Sequence, residues 1–313
     1  MTRLGIVGAG AVGQALATAV VAAGRADVAV LSRTDWQSAA LSADLEDLCA
    51  ALCSPVAVRS VNSVAELRDC DAIVIAVRAA FTNRHQLDVR MAGLSANATI
   101  VHKLAVELTG YTGAVLVVTN PVDVLARLVA ETSTCHRVYG IGANLDTARY
   151  RTLVAAACGV AVEVVNGHVI GEHGDAAVCC LSSTTIRGHP LDSAAVPAGD
   201  LYAALHARSG LITDGIGRVR AGAVGAILSA LGKVLGEVDG VEHLSVRYRH
   251  HGWLGLPVRF TCGAAQPFLP PLNPDEQRRL AAAADKVHHA YQTLVGSTLA
   301  STAQPPTSTR ETR

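Results

Sequence analysis

A glycine-rich turn near the start of the chain restricts the fold more than any other feature. The apolar segment Leu4 to Val7 leads into Gly8-Ala-Gly10-Ala-Val12-Gly13, and an apolar helical pattern follows at once. Gly8 can form a tight turn, Gly10 can let a diphosphate approach the backbone, and Gly13 can let helix and strand pack closely. A helix N-terminus adds free N–H groups. We therefore predict a dinucleotide-binding turn formed by Gly8, Gly10, Val12 and Gly13.

The same region imitates a membrane span or a secretory signal. Residues 4–24 are nearly all apolar and follow Arg3. The four glycines at positions 5, 8, 10 and 13 would weaken a spanning helix or a signal core, whereas a strand, a turn and a buried helix need them. We therefore expect neither export nor a membrane contact.

Charge and cysteine content exclude further classes. The 26 basic and 26 acidic side chains cancel to a formal net charge of zero, which leaves no global field to attract nucleic acid. The eight cysteines are scattered and none has CxxC spacing, which argues against a zinc site and indicates a reducing compartment. We predict a cytoplasmic protein with no metal site and no nucleic-acid partner.

Apolar runs alternate with helical stretches through the first half of the chain, as in parallel strands joined by crossover helices. The fold class is therefore α/β, with an N-terminal Rossmann doubly wound parallel sheet and a C-terminal α+β substrate domain. We place a dinucleotide-binding domain at residues 1–142, a substrate domain at 143–300 and a disordered tail at 301–313. The predicted strands are Leu4 to Val7, Val28 to Leu31, Ala72 to Val77, Val115 to Val118 and Val138 to Ile141. Helices are predicted from about Ile216 to Leu235 and from Leu280 to Leu294.

The end of the second strand bears on cofactor choice. An acidic residue there would hold the ribose 2′-hydroxyl of NAD, but this strand ends in Ser32-Arg33. A hydroxyl and a guanidinium can bind a 2′-phosphate, which favours NADP(H) over NAD(H). The alternative is that Arg33 is a solvated charge and that Asp35 serves the ribose.

Four segments together resemble the lactate/malate dehydrogenase family over about residues 3 to 297. The resemblance implies a two-domain enzyme that interconverts a 2-keto acid and an (S)-2-hydroxy acid with a nicotinamide cofactor. It also implies a homodimer or homotetramer and a small carboxylate substrate. The segments are Gly8 to Gly13, Asn120-Pro-Val-Asp123, Leu145-Asp146-Thr-Ala-Arg149 and Gly171-Glu-His173-Gly-Asp175.

Residue chemistry supports the same site. Reduction of a carbonyl needs a proton donor, and His173 can give and take a proton near neutral pH. Asp146 would orient the imidazole, and Arg149, three residues later, would bind a substrate carboxylate. The resemblance adds Asn120 as a substrate contact. A metal site that combines His173 with the nearby His168 and Glu172 is the alternative, although Gly171 interrupts the helix that such spacing needs.

The loop after the predicted strand Ala72 to Val77 selects the substrate in this family. Arg84, Arg90 and Asn97 reproduce a malate-type spacing, about three residues out of register. Arg90 would polarise the substrate carbonyl, Arg84 would bind a second carboxylate, and Asn97 would contact the cofactor. A malate/oxaloacetate-type substrate follows. Arg78 replaces an expected glycine, and the usual Lys-Pro-Gly is absent, so this loop departs from the family pattern.

Other features leave alternatives open. Arg218 and Arg220 lie where the family places a substrate-facing wall, and they would face either the substrate, the solvent or a second subunit. The adjacent Cys179 and Cys180 suit buried strand packing better than a redox switch. The rival functions are a reductase of another 2-keto acid or of a cyclic imine, and a non-catalytic dinucleotide-binding regulator.

Overall fold

The computed structural model of the chain describes residues 1–80, 91–192, 196–249 and 252–302. The first half contains β1 (Thr2–Val7), α1 (Ala11–Ala22), β2 (Ala26–Leu31), α2 (Asp35–Leu52), β3 (Val58–Ser60), β4 (Ala72–Ile75), α3 (Leu94–Glu107), β5 (Ala114–Val117), α4 (Val122–Ser133) and β6 (Val138–Ile141). The second half contains α5 (Ala143–Cys158), β7 (Val165–Asn166), β8 (Val169–Gly171), β9 (Ala177–Cys179), β10 (Thr185–Ile186), β11 (His189–Pro190), α6 (Ala198–Ile216), α7 (Ala221–Val234), β12 (Gly240–Tyr248), β13 (Gly252–Thr261), β14 (Ala264–Pro267) and α8 (Pro274–Thr302).

The first six strands form a parallel sheet in the order β3-β2-β1-β4-β5-β6. Strands β4 and β5 are buried along their whole length, because helices cover both faces of a doubly wound sheet. This arrangement confirms the predicted fold class and all five predicted strands. Strand β3 was not predicted, since its three residues are half-buried or exposed and show no apolar pattern.

The second half of the chain continues the same sheet. Strand β12 pairs antiparallel with β6, and β13, β8 and β9 follow beyond it. Strand β14 also pairs antiparallel with β13, at the end Val258 to Thr261. A small separate sheet contains β11, β10 and β7. Because β6 and β8 lie in one sheet, the start of α5 and the loop after β8 come together at its edge.

Two predicted helices differ in extent from the observed ones. The helix expected from about Ile216 begins only at Ala221, because Gly217 adopts a φ of 81° that ends α6 and separates it from α7. The last helix is capped by Asn273, whose side chain accepts the Glu276 N–H at 2.9 Å. It extends to Thr302, two residues into the predicted tail.

The main core joins both halves of the chain. Alanine, valine and leucine side chains from the parallel sheet pack together with those of α7, β12, β13 and α8. A second cluster lies between α5, α6 and the short strands around Tyr150. Within the described ranges, no helix combines the length and the apolar character needed to cross a membrane.

Candidate active site

The glycine turn has the geometry of a phosphate-binding turn. Gly8 has a φ of 116°, and a Cβ there would lie 2.6 Å from the Ala76 carbonyl oxygen. A Cβ on Gly13 would lie 1.8 Å from the Gly8 carbonyl oxygen, so only glycine lets α1 pack this closely. A Cβ on Gly10, by contrast, would have no other atom within 4 Å. The turn is therefore closed on the protein side and open where a diphosphate would approach.

The start of α1 leaves backbone donors for an anion. Gly10 occupies the N-cap and supplies no capping side chain, and the first turn holds no acidic residue. Uncapped N–H groups at a helix N-terminus attract phosphate. Val12 lies half-buried in this first turn and packs on the core. The four predicted residues of the turn thus lie together.

The predicted cofactor-selecting residues lie at the adjacent strand end. The Ser32 hydroxyl accepts the Ala9 N–H of the glycine turn at 3.4 Å, and the Ser32 N–H donates to Ser38 Oγ at 2.8 Å. Arg33 is exposed. Asp35 follows in the first turn of α2, where an acidic side chain favours the helix dipole.

His173 and Asp146 form a buried pair. His173 Nδ1 lies 2.5 Å from Asp146 Oδ2, and the side chains of both residues are less than a tenth exposed. Asp146 Oδ1 lies 3.6 Å from Arg149 Nη1, one turn further along α5. An aspartate on Nδ1 fixes the orientation of an imidazole and stabilises its cationic form, an arrangement that suits proton transfer at Nε2. The structure therefore brings together the three residues that the motifs predicted.

Gly142 leaves the space that the His173 ring occupies. A Cβ on Gly142 would lie 2.4 Å from His173 Cγ, so the imidazole packs directly on the backbone between β6 and α5. Only a glycine permits this contact. The sequence analysis used Gly142 solely as a domain boundary, because a close approach between distant segments leaves no local signal.

Asp123 is a site residue to which the sequence analysis gave no role. Its Oδ2 accepts the His173 N–H at 2.8 Å, while its Oδ1 is buried without a hydrogen-bond partner. Burial raises the pKa of this carboxyl to about 7, against the lowering effects of Ser245 and the His173 N–H. Its position in the Asn120 motif was the signal that could have identified it.

The two asparagines link neighbouring strand ends. Asn97 Oδ1 accepts the Ala79 N–H and Asn97 Nδ2 donates to the Asn120 carbonyl, both at 2.8 Å. The Asn97 amide therefore organises the loops after β4 and β5. Asn120 Oδ1 is buried and has no hydrogen-bond partner, so this polar group is available to a ligand.

The predicted substrate loop is only partly described. Arg84 and Arg90 lie outside the described residues. Arg218 and Arg220 lie on the exposed turn that leads into α7. The start of α7 packs near the catalytic pair, because a Cβ on Gly222 would lie 3.1 Å from the Leu145 side chain.

The geometry favours neither a metal site at His173 nor a redox role for Cys179 and Cys180. His168 lies 2.8 Å from His243, and Glu172 pairs with Lys286, so neither joins His173 in a ligand set. No group of three or more metal-ligating side chains exists within the described ranges. Cys179 and Cys180 are buried, and burial raises the pKa of the Cys179 thiol to about 12, which suits packing and suppresses thiolate chemistry.

Fold and site together define a class. The parallel sheet and the open glycine turn at its strand ends are those of the doubly wound, dinucleotide-binding folds. Residues 2–142 match the family profile described as lactate/malate dehydrogenase, NAD binding domain, and residues 143–207 match that of the alpha/beta C-terminal domain. The chain belongs to the lactate/malate dehydrogenase family.

Individual relatives agree with this family assignment. The L-lactate dehydrogenase of Geotalea daltonii is 29% identical over 322 residues, covering 93% of this chain and 99% of that protein. The L-lactate dehydrogenase of Mesoplasma florum is 32% identical over 191 residues, and the match spans only 59% of each protein. Two solved structures share the fold. They are a Cryptosporidium parvum lactate dehydrogenase with lactic acid and nicotinamide adenine dinucleotide (TM-score 0.84, 23% identity, 94% of this chain, 98% of that one) and a Plasmodium falciparum malate dehydrogenase (TM-score 0.85, 20% identity, 95% and 99%).

Proposed function

We propose that this protein transfers a hydride between a nicotinamide dinucleotide and C2 of a small 2-keto or (S)-2-hydroxy acid. The observation that carries the proposal is the buried contact of 2.5 Å between His173 and Asp146, with Arg149 on the same carboxylate. This arrangement supports the proposal, because His173 would donate a proton beside a guanidinium that suits a carboxylate. The substrate class follows, because a 2-keto acid carries a carbonyl next to a carboxylate.

The chain's own residues fit the cofactor. When bound, the dinucleotide supplies or accepts the hydride. Gly8, Gly10 and Gly13 would hold its diphosphate, since the turn is open at Gly10 and the α1 N–H groups are uncapped. Ser32 and Arg33 lie at the second strand end, where this fold holds the adenosine ribose. The absence of a carboxylate at these two positions supports a preference for NADP(H).

The proton follows a short route. In the direction of reduction, the His173 imidazolium donates from Nε2 to the keto oxygen, and Asp146 stabilises the cation before transfer. Arg149 binds the substrate carboxylate and fixes C2, while Arg90 would stabilise charge on the oxygen. In the reverse direction His173 accepts the hydroxyl proton.

Two substrate pairs compete, each with one observation in its favour. The spacing of Arg84, Arg90 and Asn97 favours oxaloacetate and malate, because a second arginine suits a second carboxylate. The relatives named L-lactate dehydrogenase favour pyruvate and lactate. We propose the diacid pair, on the chemistry of Arg84.

The test is a panel of keto acids and cyclic imines assayed for oxidation of NADPH and of NADH. We expect turnover of 2-keto acids, with oxaloacetate above pyruvate. Arg84→Gln should then lower kcat/KM for oxaloacetate far more than for pyruvate, since only the diacid loses a charge-assisted pair, which contributes about 1.5 to 3 kcal/mol. Arg90→Gln should slow both substrates, because the developing oxyanion is common to them.

Each other outcome has a clear meaning. If Arg84→Gln affects both substrates equally, or neither, the diacid assignment is wrong. Turnover of a cyclic imine alone would favour the specialised reductase. Cofactor binding without any turnover would favour the regulator.

A further inference from the structure

Helix α8 reaches into the loop that carries His173. Lys286 Nζ donates to Glu172 Oε2 at 2.7 Å, and Glu172 directly precedes His173 in the chain. The Glu172 side chain is 2% exposed and that of Lys286 is 32% exposed. A buried carboxylate needs a compensating cation, so this ion pair couples the C-terminal helix to the catalytic loop.

The loop is folded around the Glu172 carboxylate. Oε2 also accepts the Ala176 N–H at 3.0 Å, which closes the turn on the far side of His173. A Cβ on Gly174 would lie 2.8 Å from Glu172 Oε1, so the backbone packs directly on the carboxylate. Glu172 therefore contacts both sides of the turn that presents the imidazole.

Helix α8 is a firm support for this contact. The Tyr291 hydroxyl donates to Glu131 Oε2 at 2.7 Å, and the Arg127 guanidinium lies 3.9 Å from the centre of the Tyr291 ring. Both partners belong to α4, which also supplies Asp123 to the His173 N–H. Helices α4 and α8 thus hold the loop from two sides.

Charged and titratable groups approach the His173 loop from the elements packed around it. Within the described residues, α5 contributes Asp146 and Arg149, α4 contributes Asp123, and the loop and α8 contribute Glu172 and Lys286. Helix α6 contributes His206, which lies 4.0 Å from Asp175 of the loop. These groups act on one another. After burial, the negative charges of Glu172 and Asp146 are among the causes that raise the pKa of Asp123.

We propose that Lys286 is a positioning residue that acts through Glu172 to hold the His173 loop and to balance the charge beside the imidazole. The inference rests on the proposed function, because it assigns His173 the role of proton donor. The role assigned to the pair requires no contact with the substrate. Its influence is on the geometry of the loop and on the pH range in which the imidazole is protonated.

The test compares signed pH shifts in two variants. Reduction of a keto acid requires protonated His173, so kcat/KM falls as the pH rises. Lys286→Met removes a positive charge and should move this fall to higher pH by about 0.5 unit, less than the 1–3 units expected from a charge in direct contact. Glu172→Gln removes a negative charge and should move it to lower pH. Both variants should lower kcat more than they raise KM.

Three further variants complete the design. Lys286→Arg should retain the wild-type pH profile, because it keeps the positive charge. The double variant Glu172→Gln/Lys286→Met should return the fall close to its wild-type pH, and it avoids a buried, unpaired carboxylate if Lys286→Met alone does not fold. Lys103→Met removes an exposed lysine from α3 and should leave the profile unchanged.

A second readout is independent of turnover. The titration of the His173 ring, followed by NMR without substrate, should show the same opposite shifts. Shifts of equal sign in the two variants, or no shift in either, would overturn the proposal. Opposite NMR shifts in a protein that reduces no 2-keto acid would instead reject the proposed function and leave the positioning role intact.

Discussion

At the scale of single residues, His173 is held by contacts from three segments. Asp146 binds its Nδ1, Asp123 accepts its backbone N–H, and the Gly142 backbone lies against its ring. These contacts fix the imidazole close to the Arg149 guanidinium, which lies 3.6 Å from the same Asp146 carboxylate. None of these contacts involves the glycine turn. We therefore expect that loss of the imidazole lowers turnover and leaves cofactor binding unchanged.

We predict that His173→Ala lowers kcat by a factor of ~10² to 10⁴ and leaves the cofactor affinity within a few-fold of wild type. Steady-state kinetics and fluorescence titration with reduced cofactor measure the two quantities. His102→Ala, which alters an exposed histidine on α3, is the control. Near-normal turnover of His173→Ala would remove this residue from the mechanism.

The proposed preference for NADP(H) rests on two neighbouring side chains. We predict that Ser32→Asp/Arg33→Ile moves the preference from NADPH towards NADH, because the new carboxylate accepts the ribose hydroxyls and repels a 2′-phosphate. The ratio of kcat/KM for the two cofactors measures the change. If the wild-type protein already prefers NADH, the assignment of Ser32 and Arg33 is wrong and the alternative with Asp35 is favoured.

At the scale of elements, a histidine pair joins the residue before β8 to β12, with His168 half-buried and His243 buried. His168 Nδ1 and His243 Nε2 lie 2.8 Å apart. Burial, followed by the charge of Arg151, lowers the pKa of His168 from 6.5 to about 4. Burial, His168, Arg151 and Lys233 lower the pKa of His243 as well. The folded protein therefore binds fewer protons here than the unfolded chain below pH 6.5.

The sign of the pH dependence follows. The stability that this pair contributes is fully present above about pH 6.5 and is lost as the pH falls. With an allowance for the partial exposure of His168, we predict that the free energy of unfolding falls by about 2 kcal/mol more between pH 7 and pH 5 in wild type than in His168→Gln/His243→Gln. Urea unfolding at the two pH values measures this difference. His102→Gln alters an exposed histidine and is the control, which should behave like wild type. An equal fall in the free energy of unfolding in all three proteins would contradict the prediction.

Elements also show where sequence information was sufficient. Five of the six strands of the first half were predictable because each is apolar on both faces, and the glycine turn because each glycine has a local backbone role. The start of α7 was misplaced, since a Gly/Ala-rich pattern does not show where Gly217 ends the preceding helix. The interactions of Asp123, Gly142 and Lys286 with the His173 loop join segments distant in sequence, and no local pattern records them.

At the scale of the whole molecule, one continuous sheet connects the glycine turn with the His173 loop. The glycine turn follows β1, while His173 follows β8, and the pairing of β6 with β12 unites the two groups of strands. The motifs predicted that these segments share a site. Their distances and the support from α8 depend on the tertiary packing of the two halves, which sequence spacing does not contain.

The central claim is that a hydride passes to C2 of a 2-keto acid while His173 supplies the proton. The most direct measurement is the fate of deuterium from a reduced cofactor labelled at the transferring position, with oxaloacetate or pyruvate as acceptor. The account predicts one deuterium at C2 of an (S)-2-hydroxy acid product, and little product from His173→Ala. Product without deuterium at C2, or labelled product formed equally fast by His173→Ala, would contradict it.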